Sequence, residues 1–118
     1  MREQLARYEQ LQQNLQAILV QKQQLDLEST EVNKALEELK KAAEGDAVYK
    51  SAGNLLVRAK KEELLKELDE RKELAGTRSA VLSKQEQRVR DSIKDLETKI
   101  QESIKEKGPG ETTSTSSP

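Results

Sequence analysis

Val48-Tyr49-Lys50-Ser51-Ala52-Gly53-Asn54-Leu55-Leu56-Val57-Arg58-Ala59 is the stretch on which the fold of this 118-residue chain turns. Val48–Ser51 and Leu55–Ala59 have the composition of strands, and Ala52-Gly53-Asn54 supplies the turn between them. A plain helical hairpin needs only about 2–8 connecting residues, whereas the connector 45–59 takes fifteen. A two-stranded hairpin is marginal in water by itself. This one carries apolar side chains on both faces, with Leu55 and Val57 on one and Val48 or Leu56 on the other. It also has two unpaired edges, and such edges recruit further strands. The favoured reading is an assembly element that joins hairpins from several subunits into one sheet or barrel. The alternative is an apolar loop folded back on the helix ends.

Outward from the connector, both flanks keep a heptad. Residues 2–44 place Leu11, Ile18, Leu25, Val32 and Leu39 at d, with Tyr8, Leu15 and Leu36 among the a positions. Residues 60–107 place Leu65, Ile93 and Ile100 at a, and Leu68, Ala75, Leu82, Val89 and Leu96 at d. A 3–4 spacing sustained over this length is a coiled-coil signal. Gly45 stands where the first helix should end, and Gly108-Pro109 does the same for the second. The short connector makes the helices antiparallel. A register in which Leu11 meets Ile93, Leu15 meets Val89, Leu36 meets Leu68 and Leu39 meets Leu65 satisfies both seams. Around Ser29, Ala75, Gly76 and Ser79 the seam is short of apolar volume, so an under-packed waist is expected there. The expected fold is thus mainly α: one domain over 1–107, with helices at 2–44 and 60–107 and the β-hairpin connector at 45–59. Residues 108–118 (Gly-Pro-Gly-Glu-Thr-Thr-Ser-Thr-Ser-Ser-Pro) should form a disordered tail.

Composition agrees with long helices and narrows the function. Charged residues make up 36% and hydrophobic ones 33%; Tyr8 and Tyr49 are the only aromatics. The apolar residues are too few and too small to fill a globule, and their strict period argues against disorder. There is no Cys and no His, which excludes disulfides, the usual soft metal ligands, and thiol or imidazole catalysis. No phosphate loop, metal-ligand spacing or serine with a partnering base occurs, so no enzyme and no cofactor are expected. Twenty-one basic against 22 acidic residues leave no basic excess for nucleic acid. No apolar run approaches the roughly 20 residues of a membrane span, and the N-terminus has no signal core. A cytoplasmic protein is expected.

At the far end of the helix pair lie both termini, and there Leu5, Tyr8, Leu11, Leu96, Ile100 and Ile104 cluster. Leu11 and Leu96 read equally as ordinary seam residues, whereas Leu5 and Ile104 fall beside the seam. Fraying helix ends expose such groups intermittently. The contacts they offer are weak and non-directional, suited to unfolded chains rather than to one defined ligand.

The connector from Val48 to Arg58 closely resembles that of the beta-class subunits of prefoldin, in the archaeal style. Tyr8-Glu9-Gln10-Leu11-Gln12-Gln13, Gln21-Lys22-Gln23-Gln24, Ala35-Leu36-Glu37-Glu38-Leu39 and Lys84-Gln85-Glu86-Gln87-Arg88-Val89 share the family's look. The resemblance spans roughly residues 5–105, and a connector of this length has room for one hairpin, not the two of an alpha-class subunit. It implies a hetero-hexamer of two alpha-class and four beta-class subunits, with β-barrels at the body and six coiled coils as tentacles. It implies an ATP-independent chaperone that captures non-native client proteins at the tips and delivers them to a group II chaperonin. Carried onto this chain, Val48, Tyr49, Leu55, Leu56 and Val57 would build the barrel, and Leu5, Tyr8, Ile100 and Ile104 would contact clients. The main rival is a structural coiled-coil scaffold or spacer, which would need anchors at its ends but no shared cavity.

Overall fold

The computed structural model describes the backbone of residues 2–116 and the side chains of residues 2–105. The chain runs α1 (Arg2–Lys41), β1 (Val48–Ala52), β2 (Leu55–Ala59) and α2 (Lys61–Ser116), the expected order of helix, hairpin, helix.

α1 stops at Lys41 rather than at 44 because the connector's own polar groups take over its last carbonyls and amides. The Ala42 amide donates to the Leu39 carbonyl at 3.2 Å, and the Asp46 amide donates to the Ala43 carbonyl at 3.1 Å. The Asp46 carboxylate accepts from the Ala43 amide at 2.8 Å. Gly45 carries the reversal at φ +90°, a value an L side chain rarely adopts. The Lys61 ammonium donates to the Ala42 carbonyl, which sets a cation at the negative end of α1. At the start of α2 the Leu64 amide donates to the Lys60 carbonyl at 3.0 Å, so Lys60 is the N-cap, and Glu62 and Glu63 occupy the first turn, where the helix dipole favours acids.

α2 is the longer of the two helices, 56 residues against 40. Its backbone stays helical to Ser116, past Lys107 and through Gly108-Pro109. Of the tail expected at 108–118, residues 117 and 118 lie outside the described residues.

β1 and β2 pair antiparallel in the register Val48↔Ala59, Tyr49↔Arg58, Lys50↔Val57, Ser51↔Leu56 and Ala52↔Leu55. Two residues remain for the loop, Gly53 and Asn54. Gly53 has φ +61°, and among the described residues no non-glycine has positive φ, the pattern of a type II′ turn, whose twist matches that of the strands it joins.

The chain forms two compact units. In the one built from residues 21–81, Val32, Leu36 and Leu39 of α1 pack with Leu68 of α2, and Val48, Leu64 and Leu65 close over them. The expected pairs Leu36–Leu68 and Leu39–Leu65 thus share one cluster. Leu25 and Ala75 are also buried, but Ala75 contributes a single methyl group, and Ser29 and Ser79 are half-buried. A Cβ added at Gly76 would meet nothing within 4 Å, so the bare backbone there serves no close approach. Gly76→Ala should therefore stabilise the chain by about 1 kcal/mol, the helix-propensity difference. A rise in the urea midpoint of thermodynamic unfolding checks this; a fall would mean that the waist needs the glycine.

In the other unit, built from the chain on either side of residues 21–81, Leu11, Ile93 and Leu96 are buried and Tyr8, Leu15, Val89 and Ile100 pack around them. The expected pairs Leu11–Ile93 and Leu15–Val89 again fall together.

Candidate functional site

Two regions expose large apolar side chains where the sequence expects contacts with other molecules. The first is the hairpin. Because successive strand residues point to opposite faces, the register sets Val48, Leu55 and Val57 on one face and Tyr49 and Leu56 on the other. Of the two partners weighed for the second face, only Leu56 lies there. Val48 packs on the Leu36–Leu68 cluster. The other four are open: Leu56 is 75% exposed, Leu55 69%, Tyr49 54% and Val57 41%. Lys50 reaches back to α2, its ammonium 3.5 Å from the Glu67 carboxylate. The hairpin is thus a paired sheet with a tethered base, not a loop collapsed onto the helix ends.

The second region is the tip, where the start of α1 meets the distal part of α2. The six residues expected there separate into three kinds. Leu11 and Leu96 are buried seam residues at 9% and 7% exposure. Tyr8 and Ile100 are half-buried against them. Leu5 and Ile104 are open, at 51% and 46%. The Tyr8 hydroxyl donates to the Glu97 carboxylate at 3.2 Å, tying α1 to α2 just inside the open pair. Leu5, Tyr8, Glu97, Ile100 and Gln101 line a shallow groove of about 250 Å³.

Glu97 and Gln101 are rim residues that sequence reasoning missed, because nothing in their type separates them from the many other polar residues on α2. Val20, Leu27, Leu74 and Val81 are exposed as well. They lie off the heptad seam, and a seam template passes over them. No described helix is long and apolar enough to cross a membrane.

Comparison with known proteins bears on both regions. Residues 2–107 match the family described as Prefoldin subunit. A prefoldin subunit beta from Sulfurisphaera tokodaii is 46% identical over 99 residues, covering 84% of this chain and 79% of that protein. One from Thermococcus onnurineus is 41% identical over 101 residues, covering 86% of this chain and 87% of its own length. The crystal structure of the prefoldin beta subunit from Thermococcus strain KS-1 superposes with a TM-score of 0.80 at 35% identity, over 88% of this chain and 91% of that one.

Proposed function

Because the chain belongs to the prefoldin family, as a beta-class chaperone subunit of a kind that forms hetero-oligomers with other prefoldin subunits, we propose that it acts as an ATP-independent holdase in the cytoplasm. Its hairpin enters a shared β-barrel through Tyr49, Leu55, Leu56 and Val57, with Val48 anchoring the base. The assembly is a hexamer with two alpha-class and four beta-class subunits. Non-native clients are held at the tips and passed to a group II chaperonin. The family is one of chaperones, not an enzyme class, and holding a client needs no chemical step.

The observation that carries this reading is the exposure of Leu5 and Ile104 just beyond the closed seam of Leu11, Ile93 and Leu96. Two aliphatic groups on one tip bind weakly. Several tips gathered by assembly act together, and effective concentration raises avidity by about 10²–10⁴ without any strong single site. Release follows when the chaperonin competes for the same contacts.

The test is the aggregation of a denatured protein diluted, without nucleotide, into this chain assembled with an alpha-class subunit. A version truncated to residues 12–95 serves as comparison. Protection by the full-length assembly and loss of protection with the truncated one is the expected result. If both assemble and neither protects, the scaffold reading takes its place.

A further inference from the structure

Gln10-Leu11-Gln12-Gln13-Asn14-Leu15-Gln16-Ala17-Ile18-Leu19-Val20 carries no charge, in a chain of which 36% is charged. Leu11 and Leu15 share their cluster with Ile93 and Val89, so residues 84–94 of α2 run beside this stretch in the opposite direction. There α2 has four basic residues, Lys84, Arg88, Arg90 and Lys94, against two acidic ones. Both acids are already engaged. The Arg90 Nε donates to the Glu86 carboxylate at 2.7 Å, and the Gln87 amide donates to the Asp91 carboxylate at 2.9 Å. Lys84, Arg88 and Lys94 are exposed, and among the described residues they enter no ion pair. This length of the helix pair is a basic band, and α1 offers no acid to offset it.

A groove of about 380 Å³ opens in the band, lined by Asn14, Ala17, Ile18, Gln85, Arg88 and Val89. Ile18 and Val89 are half-buried seam residues whose outer edges form an aliphatic floor, and Asn14, Gln85 and Arg88 are exposed around it. The Asn14 carboxamide oxygen accepts from Gln10 Nε2 at 3.1 Å, which leaves its NH₂ group to donate elsewhere. The groove is distinct from the one at the tip. Its residues fall at heptad positions c, d and g of both helices, whereas Leu5, Tyr8, Glu97 and Ile100 fall at a and e. Positions e and g flank the seam on opposite sides, so the two grooves open on opposite sides of the helix pair. Ile18 also stands about 20 Å along α1 from Leu5.

We propose that this groove binds acidic, aliphatic segments of non-native clients in extended form. An aliphatic side chain covers Ile18 and Val89. The amides of Asn14 and Gln85 serve the segment's backbone, which has both donors and acceptors to satisfy. The Arg88 guanidinium takes a carboxylate in the two-pronged geometry that suits it. Lys84 and Lys94 attract the same segment over a longer range and repel a basic one. The proposal deepens the holdase reading above and rests on it for the source of the segment.

The probe is a short peptide of glutamate, leucine and serine in equal number, labelled with an uncharged dye, and its counterpart with lysine in place of glutamate. Fluorescence anisotropy follows their binding to the chain assembled with an alpha-class subunit, at low salt. The glutamate peptide should bind about tenfold or more tighter than the lysine peptide, and added salt should narrow the gap. Arg88→Glu should weaken the glutamate peptide by about fivefold or more. Lys99→Glu, the same charge change on an exposed residue nearer the tip, should alter it by less than about twofold. Circular dichroism and native mass confirm that both variants are intact. Equal binding of the two peptides, equal losses from the two variants, or no loss from either overturns the proposal. So does a fall in the native mass of Arg88→Glu, which makes the occupant another subunit. Leu5→Ser combined with Ile104→Ser separates the groove from the tips. Peptide binding that survives in this double variant supports the groove, even if clients are no longer protected and even if the holdase reading itself fails. Binding lost there but kept in Arg88→Glu assigns the segment to the tips and overturns the groove.

Discussion

Leu56→Asp should leave the helices folded and abolish the oligomer. In the isolated chain Leu56 is largely solvent-exposed, and exposed substitutions away from special contacts usually shift stability by no more than about 0.5 kcal/mol. Far-ultraviolet circular dichroism should accordingly stay close to that of the unsubstituted chain. In a shared sheet the same carboxylate loses its water without gaining a partner. An unpaired buried charge costs several kcal/mol or more, and the cost recurs in every copy. Native mass spectrometry or light scattering should therefore find dissociated subunits at concentrations where the unsubstituted chain assembles completely. Val57→Asp, at another exposed strand position, should collapse the assembly in the same way. An unchanged native mass for Leu56→Asp would refute the assembly role of the connector.

The second large effect is expected at the tip. Leu5→Ser combined with Ile104→Ser should abolish protection of clients while the particle keeps its mass. Both side chains are about half exposed, so their loss barely disturbs the helix pair. Each forfeits up to about 1.5–3 kcal/mol of apolar contact with a client, the range for fully burying such a side chain. The loss is repeated at every tip that carries the substitutions, so avidity of the kind that multiplies weak contacts collapses by about 10² or more. Aggregation of a diluted denatured protein, followed by light scattering, reads this directly. Leu11→Ser and Leu96→Ser are poorer probes, because both residues are buried and their truncation costs about 2–5 kcal/mol of seam packing. Undiminished protection by the Leu5→Ser, Ile104→Ser double variant would place the client contacts elsewhere.

Much of the fold was legible in the sequence because it obeys two simple periods. Leu36, Leu39, Leu65 and Leu68 recur at 3–4 spacing, and once the connector is short an antiparallel register is nearly forced. Gly53, with strand-forming residues on both sides, announces its turn. Helix ends were less legible. α1 stops at Lys41 because Asp46 bonds the Ala43 amide, a local competition that a heptad pattern does not register. At the tip the sequence supplies the right aliphatic residues but not their exposure. Leu5 and Leu11 are chemically identical and stand on one helix; the heptad puts Leu11 on the seam and Leu5 beside it, and the facing helix sets how far each is covered. The same gap hides Val20, Leu27, Leu74 and Val81, apolar residues placed outside the seam that the period was fitted to.

The type II′ turn at Gly53-Asn54 has a consequence for how the chain can change in length. Side chains alternate sides along a strand, so a single residue inserted into β1 or β2 and absorbed by a slip of the pairing would carry Leu56 to the face of Lys50 and exchange the two surfaces. The hairpin can therefore grow or shrink only in steps of two. The helices follow a different arithmetic. A heptad added to α1 and a matching heptad added to α2 keep every leucine on the seam and lengthen the pair by about 10 Å, whereas an insertion of one or two residues rotates everything beyond it off the seam. Insertions and deletions tolerated across relatives of this chain should fall in sevens along the helices, in twos or not at all in the strands, and freely only beyond the last seam residue.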